Sequence, residues 1–290
     1  MRSIKNLVAI LLITTAAACS KSSPTEETPL PVTYLNVAYG TDAKQKMDVY
    51  LPAVRSTANT KVVVMIHGGA WISGDKTDVE FAQFIDTIKR RLPDYAIFNI
   101  NYRLSAAPSN IFPTQENDVK SALDFIVSKS TEYGISNKYV LIGASAGAHL
   151  AMLQAYKYSS PLKPKVVVSF FGPSDLTDMY NNPVGNNPVL AAGVAQAVGK
   201  TPTQDAAIYT NSSPVTYISL ANAVPTILLH GGADPLVKPS QSTTVRDKLM
   251  IAGVPTQYVF YPTGGHGDWN NATYADAFAN IENFIKTHVN

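Results

Sequence analysis

Two unbroken apolar runs, Val62-Val63-Val64-Met65-Ile66 and Val166-Val167-Val168, limit this chain more than any other feature. Both are rich in β-branched residues and lack the polar alternation of a strand with one wet face. Such strands must be covered on both sides, which predicts a central parallel sheet between layers of helix. Further short β-rich segments bring the predicted strands to eight, at 34–39, 46–51, 61–67, 95–101, 139–143, 166–171, 226–230 and 256–261. Between them run helical stripes. Phe81, Phe84, Ile85, Ile88 and Leu92 form one, Val119, Ala122, Leu123, Ile126 and Val127 a second, and Ala277, Phe278, Ile281, Phe284 and Ile285 a third. Strand and helix in alternation predict an α/β layered sheet with right-handed crossovers. The first two strands have no helix between them and are expected as an antiparallel edge. Residues 174–223 break the rhythm. They are rich in Asn and Pro, and so long a structureless loop does not suit a compact domain. They are expected to form a small cap after the sixth strand, with 189–198 helical despite a glycine.

The chain has 290 residues, 46% hydrophobic and 15% charged, which suits one large core. Its start reads as an export signal. Arg2 and Lys5 precede the apolar run from Leu7 to Ile13, which is too short to span a bilayer. Small residues follow, and then Cys19, the single cysteine. This pattern resembles a bacterial lipoprotein signal in which the cysteine is lipidated, with Ala16 standing where leucine is usual. Ordinary cleavage after Ala18 is the alternative. The expected organisation is a signal at 1–18, a lipidated disordered tether at 19–32, and the folded domain at 33–290, anchored to a membrane through Cys19. A lone cysteine excludes an intrachain disulfide. Without Arg2 and Lys5, 21 of the 23 basic side chains remain against 21 acidic ones, so no electrostatic footprint for nucleic acid is expected.

Gly143-Ala144-Ser145-Ala146-Gly147 matches G-x-S-x-G, with a predicted strand before it and a helix after it. A sharp strand-to-helix turn pushes the serine hydroxyl out above a sheet. The helix N-terminus adds positive potential where negative charge develops during acyl transfer. His67-Gly68-Gly69-Ala70-Trp71 follows the third strand, and its glycines free backbone N–H groups to face a substrate oxygen.

On these motifs the chain resembles the α/β-hydrolase fold esterases of the HGGxW branch. That branch includes carbohydrate acetyl and feruloyl esterases, arylformamidases and relatives of hormone-sensitive lipase. The resemblance extends through MDVYLP (47–52), NYRL (101–104), FPTQENDV (112–119) and HGGADPLV (230–237). It implies an eight-stranded, mostly parallel sheet and an oxyanion hole made by Gly68, Gly69 and the N–H of Ala146, with His67 structural. Ala70 departs from the third glycine of the lipase-like branch, which argues against long-chain lipase activity.

The acid and histidine of a triad should follow Ser145 in that order. Asp234 lies just beyond the seventh predicted strand and His266 just beyond the eighth, where sites form in open α/β sheets. Ser145 is then the nucleophile, His266 its base and Asp234 the acid, with Asp175 as a rival acid after the sixth strand. His149, His230 and His288 are read as structural. Trp71 and Trp269, each close to a catalytic motif, are candidates for stacking on a substrate ring. For Trp71 the alternative is packing beneath the oxyanion loop. No HExxH motif and no cysteine pair is present, so no metal and no cofactor is expected.

The expected activity is that of an exported serine carboxylesterase on short-chain acyl esters, plausible substrates being an acetylated or feruloylated plant polysaccharide such as xylan. Asn181, Asn182, Asn186 and Asn187 would give its cap a polar face for sugar hydroxyls, so acetyl esters are expected to outrun octanoyl esters. Arylformamidase, prolyl-oligopeptidase-like peptidase and a non-enzymatic binding protein are the alternatives.

Overall fold

The computed structural model describes residues 30–290. The expected signal, tether start and Cys19 lie outside the described residues. In chain order come β1 (Val32–Ala38), β2 (Lys46–Leu51), β3 (Val62–Ile66), α1 (Val79–Arg91), β4 (Ala96–Ile100), α2 (Thr114–Ser128), α3 (Ser130–Tyr133), β5 (Tyr139–Ala144), α4 (Ala146–Lys157) and β6 (Val166–Phe170). Then follow α5 (Leu176–Asn181), α6 (Pro188–Val198), α7 (Ala206–Asn211), β7 (Thr226–Gly231), α8 (Pro239–Ile251), β8 (Thr256–Tyr261) and α9 (Asn271–His288). The eight strands form one sheet in the order β1-β2-β4-β3-β5-β6-β7-β8. β2 pairs antiparallel with both β1 and β4, and every pair from β4–β3 to β7–β8 is parallel.

The apolar runs behave as their composition requires. Val62, Val64 and Ile66 of β3 face one buried cluster, which they share with α2 and α4. Val63 and Met65 face the other, closed by the stripes of α1 and α9. All five residues of β3 are fully buried, as are those of β6. Each apolar side chain among them contributes about 1.5–3 kcal/mol relative to exposure, so the sheet's centre is the main source of stability.

β1 begins at Val32, within the stretch expected as tether. Residues 174–223 form the expected insertion after β6, carrying α5, α6 and α7. Helix α6 starts on Asn187, whose side chain caps Val189 N, and ends at Gly199 in a left-handed conformation. The parallel strands β3, β5, β7 and β8 all point their C-terminal ends at one edge, under this cap.

Candidate active site

β5 ends at Ala144 and α4 begins at Ala146, so Ser145 alone makes the turn, with φ 53° and ψ −120°. A residue with a side chain held there costs about 1–3 kcal/mol. Its surroundings enforce it. Ser145 N donates to Phe170 O at 2.9 Å, and Ser145 O accepts from His149 N at 3.0 Å. Helix α4 packs so tightly on the sheet that a Cβ on Gly147 would stand 2.0 Å from Ile66 O. Glycine is therefore obligatory at the last motif position, and the turn exposes the serine hydroxyl.

His266 Nε2 lies 2.9 Å from Ser145 Oγ, and His266 Nδ1 lies 2.7 Å from Asp234 Oδ2. A carboxylate can only accept, so Nδ1 carries the proton and Nε2 is free to accept from the serine hydroxyl. Asp234 is itself held firmly. Its Oδ1 accepts from Leu236 N at 2.8 Å and Val237 N at 2.9 Å. Burial pushes its acidity down, but hydrogen bonds from His230 and His266 and from the backbone outweigh that. The carboxyl stays well below the usual carboxylate range, hence ionised. Asp175 takes no part. It caps α5 by accepting from Asp178 N, which accounts for its place after β6.

The loop after β3 is shaped for the opposite task. Gly68 O accepts from Tyr102 Oη at 3.1 Å and from His67 Nδ1 at 2.7 Å, with the His67 ring stacked flat on Tyr102. In a trans peptide the C=O and N–H point in opposite directions. Two bonds on the Gly68 carbonyl thus fix the direction of the Gly69 N–H. Gly69 has φ 104°, and a Cβ there would stand 2.1 Å from Ser73 O. The N–H groups of Gly68, Gly69 and Ala146 donate to no acceptor among the described residues and border the same space as Ser145. Such free N–H groups suit a developing oxyanion.

That space is a cavity of about 580 Å³, also lined by His266. Cap residues Met179, Val189, Leu190 and Val194 form one wall, and Phe81 and Phe171 contribute another. Among the described residues no lysine or arginine lines it, and the one carboxylate that does is Asp78.

Two expectations about substrate contacts are corrected here, those for Trp269 and the cap asparagines, while Trp71 takes the packed position. Trp269 does not face the cavity. It is 7% exposed, packs against Phe170, Phe171 and Tyr261, and donates from Nε1 to Gly265 O at 2.9 Å. The loop after β8 turns it inward, onto the carbonyl of the residue before His266. Trp71 borders the cavity but is 1% exposed, wedged edge-on against Phe112 and His149, so its face is not open to a sugar. The four cap asparagines are exposed and none lines the cavity. Asn182 bonds Asp178 and Asn187 caps α6, so these amides shape turns.

Two contacts were not visible in the sequence reading. Phe171, just past β6 with φ 40°, lays its ring 4.4 Å from that of His266. His230, read as a structural residue, lies 3.4 Å from Asp234 Oδ2 through Nε2. The four-residue spacing of His and Asp in HGGADPLV was the available signal for it.

Among known proteins, the BD-FAE family model matches residues 47–249. The probable carboxylic ester hydrolase LipM of Mycobacterium tuberculosis is 29% identical over 80% of this chain and 55% of its own length. The chain thus spans little more than half of that relative. A kynurenine formamidase of Meyerozyma guilliermondii is 28% identical over 79% of this chain and 85% of its own. Among solved structures, a bifunctional GH43-CE protein of Bacteroides eggerthii superposes with TM-score 0.74 at 27% identity, over 89% of this chain and 35% of that one. A truncated carbohydrate esterase from gut microbiota gives TM-score 0.73 at 23% identity, over 92% of this chain and 99% of that one. With this sheet, this insertion and a family match over most of its length, the chain belongs to the BD-FAE family and has the α/β-hydrolase fold.

Proposed function

We propose that the chain is a serine ester hydrolase with Ser145 as nucleophile, His266 as general base and acid, and Asp234 as the residue that orients His266. The observation that carries this reading is the continuous line of hydrogen bonds from Asp234 through His266 to Ser145, beside free backbone N–H groups. Ser145 Oγ attacks the ester carbonyl carbon while its proton passes to His266 Nε2. The carbonyl oxygen becomes an oxyanion facing the N–H groups of Gly68, Gly69 and Ala146, each such donor being worth about 3 kcal/mol. Collapse expels the alcohol, which takes the proton from His266. Water then attacks the acyl-serine, gives a proton to His266, and releases the acid and the free serine.

The cavity supports an uncharged and apolar acyl group. Among the described residues its walls carry no lysine or arginine, and Asp78 would repel an anionic substrate. Formamides of amino acids bear a carboxylate at neutral pH, which places the formamidase reading second despite the formamidase relative. With the asparagines and Trp269 outside the cavity, a sugar is better suited as the alcohol, outside the mouth, than as the enclosed group. The proposed substrates are acylated oligosaccharides from a neutral polysaccharide such as xylan. An acetyl group leaves much of the cavity unfilled, so the acetyl preference expected from the polar cap gives way to one for an aryl acyl group such as feruloyl. Export and anchoring through Cys19 belong to the same proposal and rest on the residues around Arg2, Lys5 and the apolar run before the cysteine.

The test is turnover by the purified domain of acetyl, butyryl, octanoyl and feruloyl esters, acetylated xylan and a formyl anilide. Ester turnover that fails in Ser145→Ala supports the reading. Turnover of the anilide alone moves the assignment to formamide hydrolysis.

A further inference from the structure

Gly193 sits in the middle of α6, where glycine is the least favourable residue apart from proline. Two structural reasons for a glycine are ruled out. Its φ is not in the left-handed range, since α6 keeps helical geometry through this position. No close neighbour forbids a side chain either, because a Cβ built on Gly193 has no heavy atom within 4 Å. By contrast, a Cβ on Gly199, at the end of the same helix, would stand 2.5 Å from Ile111. What remains is the open space beside it, and Gly193 is one of the residues that line the cavity of Ser145 and His266.

We infer that Gly193 is a specificity-determining residue, whose missing side chain leaves a notch in the cap wall for a flat, apolar acyl group. This rests on the ester-hydrolase reading and names the substrate class it implies. Met179, Leu190 and Val194 border the same cavity, and Phe171 forms part of its wall near His266. Aromatic rings and a thioether offer a planar ring favourable edge and stacking contacts. An acetyl group has no need of the notch. A cinnamoyl-type group, several carbons longer and planar, does.

The experiment compares 4-nitrophenyl ferulate with 4-nitrophenyl acetate, which share a leaving group, on the parent, Gly193→Ala, Gly193→Leu and Ala192→Leu. Ala192 is exposed on the same helix and does not line the cavity, so it controls for a change in the helix alone. Gly193→Ala should raise Tm by about 2–4 °C, as a helix-interior Gly→Ala change with room for its methyl. The kcat/KM ratio of ferulate over acetate should fall about tenfold or more in Gly193→Leu, less in Gly193→Ala, and stay at the parent value in Ala192→Leu. An unchanged ratio in folded Gly193→Leu overturns the inference, as does an equal fall in Ala192→Leu. If Gly193→Leu does not fold, the ratio in Gly193→Ala decides, a fall supporting the notch and the parent value overturning it. Should the parent hydrolyse neither ester, the functional reading fails by itself. The notch is then read from the rates at which a small alkyl and a bulky aryl phosphonate label Ser145. Selective slowing of the aryl reagent in Gly193→Leu upholds the notch. Equal rates, or no labelling of Ser145 by either, overturn it.

Discussion

His230 Nε2 lies 3.4 Å from the same Asp234 oxygen that His266 Nδ1 reaches at 2.7 Å, so one carboxylate oxygen sits between two imidazoles. Val237 O, 2.9 Å from His230 Nε2, can only accept, so this nitrogen carries a proton, while Nδ1 meets Ser242 Oγ at 2.7 Å. His230 thereby fixes the carboxylate that fixes His266. His230→Gln should lower kcat about tenfold with little change in KM, because the contact orients the base and does not touch substrate. Asp234→Asn should cost about 10⁴ in kcat through loss of the right His266 tautomer, and Asp175→Asn far less. Steady-state kinetics of the three variants checks the order, and an Asp175 effect larger than that of Asp234 would reverse the assignment of the acid.

Tyr102 offers a test of the oxyanion loop away from the nucleophile. Its hydroxyl bonds the carbonyls of His67 at 3.2 Å and Gly68 at 3.1 Å from a fully buried position. Tyr102→Phe keeps the ring and its stacking on His67 but removes one of the two bonds that aim the Gly68–Gly69 peptide, leaving that from His67. The expected result is a fall of about tenfold in kcat with KM near that of the parent, since the aimed N–H acts in the transition state. A rise in KM alone would show that the loop holds substrate rather than the oxyanion.

Acid should weaken the fold before it reaches the carboxylates. His149 is fully buried, and burial pulls its pKa down from 6.5 to about 4, although a hydrogen bond to Ser212 O opposes the change. A histidine that stays neutral in the native state while the unfolded chain takes a proton stabilises the fold above pH 6.5. That stability is lost as pH falls from 6.5 toward 4. Between pH 7 and pH 5 the loss from this one residue is about 2 kcal/mol. His149→Met should flatten that part of the profile in urea titrations at the two pH values. Asp234, held below the usual carboxylate range, adds a separate loss that begins only below about pH 4.

Anchoring is tested apart from catalysis. Cys19→Ser in the full chain should shift the protein from the membrane fraction to the soluble one, with ester turnover per molecule unchanged. Equal membrane association of variant and parent removes the lipid from the account.

The sheet was legible because burial on both faces leaves a mark in composition. The runs at β3 and β6 could satisfy no other arrangement, and each predicted strand lies within a few residues of the observed one. That Ser145, Asp234 and His266 would meet was legible because Ser145 directly follows β5 and the other two lie three and five residues past the ends of β7 and β8, and parallel strands deliver such residues to one edge. Direction was not legible. Trp269 stands three residues from His266, yet nothing in that spacing says which way the loop turns its ring. The asparagines of 181–187 looked like a sugar-binding face, but Asn187 serves the start of α6 and Asn182 serves Asp178. Phe171 and Gly193 matter through what stands across the cavity from them, and that is set by the placement of the cap. A strained φ at Phe171 and an open space at Gly193 are properties of the folded chain alone.

The most direct test is the site of covalent capture. The purified protein is treated with a fluorophosphonate, digested, and mapped by mass spectrometry, with Ser145→Ala treated in parallel. The account predicts one adduct per chain, on the peptide carrying Ser145, none in the variant, and a loss on the order of 10⁶ in the variant's kcat for any ester the parent hydrolyses. An adduct on a different serine, or ester turnover that survives in Ser145→Ala, would contradict it.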